Sequence, residues 1–166
     1  TKAAVLLIDR SASMAATDAA GKTRLAEAVA ALQRVVRSLP DQAVLTLIAF
    51  DAKADVLLSR SRNRRECLRL LDEVKPLPVA GDAAEALATA RRLAELDAGS
   101  KIWLASDTKP DGDITFIDCA LPEVINVGLT GFQVRPSPLS GGQHEVFAKI
   151  SASSANREKV SSTLEV

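Results

Sequence analysis

Residues 6–14 read LLIDRSASM, an aliphatic run that ends in an acid and then sets two serines two positions apart. Val5 to Ile8 are all large and aliphatic, as a strand covered on both faces should be. Asp9, Ser11 and Ser13 follow at alternate positions, where the chain must be leaving the sheet. An acid and two hydroxyls crowded at a strand end are costly to bury for packing alone, so this stretch marks a site.

Outward from it, strand-like and helix-like stretches alternate. AAVLLID (3–9) predicts the first strand, and TRLAEAVAALQRVVRSLP places Leu25, Val29, Leu32, Val36 and Leu39 on one helical stripe that Pro40 ends. AVLTLIAF (43–50) predicts a second buried strand. The short turn Asp51-Ala52-Lys53 then permits only a hairpin into ADVLLS, an antiparallel edge. A helix over about 64–74 carries Leu68 and Leu71 inward, and the two prolines of KPLPVAG make a loop. DAAEALATARRLAELDA opens with Asp82 and Glu85 in capping-box spacing, and it turns Ala83, Leu87, Ala90 and Leu93 inward. KIWLASD (101–107) is a further buried strand ending on an acid, and ITFIDC and VINVGL read as two more short strands.

This order predicts an α/β fold: an open, doubly wound, mostly parallel sheet with one antiparallel edge strand and helices on both faces. Binding sites in such folds lie at the carboxyl ends of strands, where Asp9 and Asp107 both fall. The boundaries drawn are an α/β domain over 1–129 and a β-rich segment over 130–166. In the latter, FQVRPSPL, HEVFAKISAS and KVSSTLEV are strand-like runs with no helix between them. Some 36 residues are too few for a sandwich of about seven strands, so the segment reads as the beginning of a β-rich domain, cut short. Its open edges call for a partner, a fold-back onto the α/β domain, or exchange between two chains in a homodimer.

Composition narrows the function. The chain has 166 residues, 47% of them apolar, with 21 basic residues balancing 21 acidic ones. No net field draws nucleic acid or an anionic membrane, and four Phe, one Trp and no Tyr leave few platforms for stacking bases. Cys67 and Cys119 stand far apart without a metal-binding pattern and read as buried free thiols. No stretch reaches the length of a membrane span, so no direct membrane insertion of this segment is expected. The chain begins with Thr-Lys, so the lack of a targeting segment says little about location.

Asp and Ser oxygens are hard ligands, suited to Mg²⁺, Mn²⁺ or Ca²⁺. Asp9, Ser11 and Ser13 on one tight loop can turn three oxygens toward a point, and Asp107 can add a fourth from the neighbouring strand end. The ordinary alternative is a polar turn capping its own backbone. Asp82 reads as the cap of its helix, Arg10 as pointing outward, and RSRNRR (60–65) as a solvated helix start. DTKPDGD lacks the spacing of a calcium loop, and His144, the only histidine, has no catalytic context.

These residues resemble the von Willebrand factor type A domain, whose metal-ion-dependent adhesion site begins Asp-x-Ser-x-Ser. The resemblance covers about residues 3–128, including the hairpin AVLTLIAFDAKADVLLS and the strand IWLASD. It is most similar to bacterial members of the aerotolerance-operon type, which implies a membrane-anchored parent protein working on the extracytoplasmic side. The resemblance implies that Ser11 and Ser13 bind the metal directly, with Asp9 and Asp107 supporting it. The family's Thr from a second loop does not carry over, because Gly81 stands in its place, and the usual Gly after Asp107 is Thr108. Weaker metal affinity follows, with Thr108 offering a neighbouring hydroxyl.

The expected function is a non-enzymatic module that binds a partner protein's Asp or Glu through the divalent cation. The rivals are a metal-free scaffold with a degenerate site and a Mg²⁺-dependent phosphoryl-transfer enzyme. The enzyme would want a second acid near the first and a cation for phosphoryl oxygens. Here the residue two beyond Asp9 is Ser, and only Lys109 follows a late strand.

Overall fold

A computed structural model describes residues 2–121, 123, 124, 126–137 and 144–153. Five strands form one sheet in the order β3-β2-β1-β4-β5. They are β1 (Ala3–Asp9), β2 (Val44–Phe50), β3 (Ala54–Ser61), β4 (Lys101–Ser106) and β5 (Thr115–Asp118). β1 is central, parallel to β2 from Ala3↔Val44 to Asp9↔Phe50 and to β4 from Ala4↔Lys101 to Ile8↔Ala105. β3 pairs antiparallel with β2, the expected edge, and β5 adds parallel to β4.

Every residue of β1 is buried because both faces of the strand are covered. Ala4, Leu6 and Ile8 face α1 (Arg24–Ser38) and α2 (Arg64–Glu73), packing with Ala28, Leu32, Val36, Cys67 and Leu71. Val5 and Leu7 face α3 (Ala84–Glu95), with Ile48, Phe50, Leu104, Leu87 and Ala90. The alternating side chains thus supply both cores, as a doubly wound sheet requires.

The chain runs from β1 to β2 on one side and later returns to place β4 on the other. The strand order therefore reverses between β1 and β4, and a crevice opens at their carboxyl ends. Asp9 ends β1 and Asp107 follows the last residue of β4.

The helix ends follow local chemistry. The Thr23 hydroxyl accepts from the Ala26 N–H at 3.0 Å to cap α1, and the Asn63 side chain does the same for Glu66 at the start of α2. At α3 the expected capping box does not form: the N-cap position is Ala83, which has no side-chain cap, and Asp82 lies one residue before it. The Asp82 carboxylate accepts from the Ala84 N–H at 2.9 Å in a local turn, and its own N–H goes to the Asp51 carbonyl. On the β3 edge Arg60 takes a left-handed φ of +46° beside an irregularity in register. Its guanidinium forms a two-pronged contact with Asp97 at 3.0 and 3.1 Å, tying that edge to the turn after α3. In RSRNRR, Arg60 and Arg64 are therefore engaged, Arg64 with Asp41 and the Leu39 carbonyl.

Both cysteines are free and buried, and burial pushes the thiols up to about 11 at Cys67 and about 12 at Cys119.

VINVGL does not add a short strand to the central sheet. Its end, from Val127, begins β6 (Val127–Pro136), which runs through FQVRP and pairs antiparallel with β7 (His144–Ala152) in a separate two-stranded sheet. The register shift between Leu129 and Gly131 lets one strand absorb what reads in sequence as a break between two. Val127, Leu129, Phe132 and Val134 share a face with Val146, Ala148, Ile150 and Ala152, and Leu129, Phe132, Val134 and Ile150 are at least half exposed. KVSSTLEV lies outside the described residues.

After β1 a single 3-10 turn, Ala12–Ala15, drives Met14 into the core, where it is fully buried against the α1 side of the sheet. The serines thus ride on a loop pinned from below. Met14→Ala is expected to lower the unfolding free energy by about 2–5 kcal/mol in a urea titration, with the fold retained by circular dichroism. A loss below about 1 kcal/mol would mean that the loop is not anchored by this side chain.

Candidate functional site

Asp9 continues the Val5–Leu7 alternation, so its carboxylate faces the α3 side of the sheet, where only 4% of the residue remains exposed. One oxygen, Oδ1, accepts from the backbone N–H of Ser11 at 2.9 Å, a local turn that starts the motif loop. The other, Oδ2, accepts from the Ser106 hydroxyl at 2.6 Å. Both donors are neutral. Among the described residues no basic side chain forms an ion pair with Asp9.

Ser11 is 2% exposed, and its Oγ lies 3.3 Å from Ser13 Oγ. Mg²⁺ binds oxygen at about 2.0–2.1 Å, which puts neighbouring oxygens of an octahedron about 3 Å apart, and Ca²⁺ would space them somewhat wider. The two hydroxyls already stand at a separation that one hard cation can span. Softer metals would want nitrogen or sulfur. Among the described residues no group of three or more His, Cys, Asp and Glu converges, so any ion here depends on the serines.

The segment 76–82 is laced over this loop. Leu77 N–H donates to the Arg10 carbonyl at 2.7 Å, Ala12 N–H to the Val79 carbonyl at 2.9 Å, and Asp82 N–H to the Asp51 carbonyl at 2.9 Å. The lacing brings Gly81 so close that a Cβ on it would stand 2.9 Å from Ser11 Oγ and 3.5 Å from Asp9 Oδ1. Sequence alone reads Gly81 as a lost hydroxyl. The structure adds that the glycine lets bare backbone rest on Ser11, and a Thr here would have to push the strap outward.

Asp107 belongs to the same crevice but faces a different partner. Its Oδ2 accepts from Arg24 Nη1 at 2.5 Å, and the Thr108 hydroxyl approaches Oδ1 at 3.4 Å. Arg24, the first residue of α1, also reaches the Ser13 carbonyl at 3.4 Å. Asp9, Ser11, Ser13, Gly81, Ser106 and Asp107 all line one open cavity of about 490 Å³.

Thus Asp9, Ser11 and Ser13 come together, while Asp107 lines the cavity in an ion pair. Ser106 and Arg24 escaped the sequence reading. The first stands immediately before Asp107 in LASD, but only the register of β4 against β1 reveals it as the partner of Asp9. Arg24 carries no sequence signal beyond its place at a helix start.

Arg10 turns sideways from the motif to Asp51 at 2.8 Å and Asp55 at 3.4 Å, and does not point free into solvent. Burial alone would raise the Asp51 carboxyl, but hydrogen bonds from Arg10 and the Lys53 N–H outweigh it and hold the group below the usual carboxylate range.

The sequence model for the von Willebrand factor type A domain matches residues 4–109. The chain belongs to the von Willebrand factor type A family. No curated protein gives a significant match. Among solved structures, the chain is similar to BatB from Bacteroides thetaiotaomicron, with 22% identity, a TM-score of 0.56, and coverage of 63% of this chain and 52% of that one. An aerotolerance-related membrane protein from Bacteroides fragilis NCTC 9343 gives 17% identity and a TM-score of 0.60, covering 89% of this chain and 82% of its own. The three N-terminal domains of the type V pili tip protein Mfa5 from Porphyromonas gingivalis give 21% identity, a TM-score of 0.51, and 61% and 19% coverage. The chain therefore spans only part of the BatB and Mfa5 structures, and the likeness is one of fold. Von Willebrand factor type A domains are commonly protein-interaction modules. Among the described residues no helix is long and apolar enough to cross a membrane.

The Arg10–Asp51 pair makes a pH prediction. A carboxylate held below its unfolded value contributes stability that is present above about pH 4 and is lost as pH falls through the lower folded value. Between about pH 6 and about pH 3 the wild type is therefore expected to lose more unfolding free energy than Asp51→Asn, measured by urea titration at each pH. Equal slopes would mean that the pair contributes nothing.

Proposed function

We propose that this von Willebrand factor type A domain is a non-enzymatic interaction module whose loop 9–13 holds a hard divalent cation, Mg²⁺, Mn²⁺ or Ca²⁺, against a carboxylate of a partner protein. The observation that carries this reading is Asp9: a buried carboxylate receiving two neutral hydrogen bonds and, among the described residues, no ion pair with a basic side chain. An isolated buried charge is expensive, and a metal beside it removes most of that cost. The hydroxyls of Ser11 and Ser13 would hold the ion, with Asp9 behind them and Asp107 at the edge of the cavity. When bound, the ion supplies an open coordination position for an Asp or Glu side chain.

This chain's own residues then do the positioning. Ser106 fixes the Asp9 carboxylate, Met14 pins the loop from below, and the Leu77–Gly81 strap holds it from above. The parent would be anchored in a bacterial membrane with this domain on the extracytoplasmic side; the likeness to an aerotolerance-related membrane protein supports the membrane association.

One arrangement favours a second reading, a metal-free interaction scaffold. Arg24 already neutralises Asp107, and Gly81 provides no side-chain ligand.

Thermal unfolding in EDTA and then in Mg²⁺, Mn²⁺ or Ca²⁺ separates the two. Binding at about 100 times Kd stabilises the native state by about 2.7 kcal/mol, a rise in Tm of roughly 5–10 °C for a domain of this size. The rise is expected in wild type and absent in Asp9→Asn. A folded wild type whose Tm ignores all three cations would leave the metal-free scaffold.

A further inference from the structure

The two carboxylates of the crevice are neutralised differently. Asp9 has only neutral donors, whereas Asp107 is held by Arg24, in a pair whose side chains are 10% and 19% exposed. The Arg24 guanidinium touches two loops at once, the motif loop at the Ser13 carbonyl and the β4 loop at Asp107 Oδ2. A cation in the crevice would join the same two loops. Among the described residues Arg24 Nε has no hydrogen-bond partner, and the side chain is held through its contacts at Nη1.

We infer that Arg24 is a built-in counter-cation that competes with the divalent ion for Asp107 and so sets the affinity of the site. This inference rests on the metal-dependent reading above. With Arg24 in place, an incoming cation meets one free carboxylate and a nearby positive charge. With Arg24 neutralised, it meets two carboxylates and no repulsion. The role is one of setting affinity, because Arg24 does not line the cavity itself.

The direct test is Mn²⁺ titration followed by the electron paramagnetic resonance signal of the free ion, on wild type, Arg24→Gln, Arg24→Met and Arg24→Lys. Arg24→Met keeps the volume of the buried stem should Arg24→Gln fold poorly. The uncharged variants are expected to bind Mn²⁺ about tenfold more tightly than wild type at moderate ionic strength. In EDTA the same variants are expected to melt lower, since Asp107 loses its partner. Arg24→Lys, which keeps the charge, is expected to stay near wild type in affinity. Lower melting without metal together with tighter metal binding is a combination that a merely structural role would not produce. Binding by the uncharged variants alone would be the extreme of the same result. Unchanged or weaker Mn²⁺ binding in both uncharged variants overturns the competition while leaving the metal site intact. No binding by wild type or any folded variant overturns both the competition and the metal-dependent reading.

Discussion

The burial of a carboxylate at the end of the central strand is the constraint around which this molecule is arranged. β1 is covered by helices on both faces and flanked by strands on both edges, so whatever ends it is carried to the switch point of the sheet with little water around it. Asp9 stands there. Its charge has to be met within hydrogen-bonding reach, and the surrounding loops are built to do so. The chain turns at once so that the Ser11 N–H faces back, and β4 is registered so that Ser106 arrives opposite. Met14 sinks into the core to hold the turn in place. The Ser11 N–H and the Ser106 hydroxyl are neutral donors, and among the described residues no basic side chain pairs with Asp9. That shortfall makes Asp9 the candidate site.

The neighbouring acids show the contrast. Asp51 and Asp107 also lie where strands leave the sheet, and each has its own arginine. Arg10 is taken up by Asp51 and Asp55 and Arg24 by Asp107, whereas among the described residues no basic side chain pairs with Asp9. In the proposed reading a hard cation would suit that position by charge and by the spacing of the serine hydroxyls, and Arg24 would limit how strongly it is held. Gly81 offers no hydroxyl, and a side chain there would press on Ser11, whose Oγ lies 2.9 Å from where the added Cβ would stand.

Much of this was legible in the sequence, for physical reasons. Strands buried on both faces must be largely apolar, so β1 and β2 announce themselves, and β4 does so less fully because its first half is only partly covered. A three-residue turn between two strands permits only a hairpin, which fixed β3 as the antiparallel edge. Asp9, Ser11 and Ser13 were visible because polar residues at the end of such a strand stand out against it. What stayed hidden depends on register and reach. Ser106 looks like any serine until β4 is aligned with β1, and Arg24 looks like any helix-start arginine until its long side chain is traced to Asp107. VINVGL and FQVRP read as separate strands because Gly128 and Gly131 interrupt the apolar pattern, while the bulge between Leu129 and Gly131 keeps β6 whole.

Anomalous diffraction from crystals of the domain grown with Mn²⁺ would show whether a divalent cation completes the environment of Asp9. A manganese peak is expected within coordination distance of both Ser11 Oγ and Ser13 Oγ, on the cavity side of Asp9. A well-ordered crevice with no peak there, and with Asp9 still buried between the Ser11 N–H and the Ser106 hydroxyl, would contradict the metal-dependent reading.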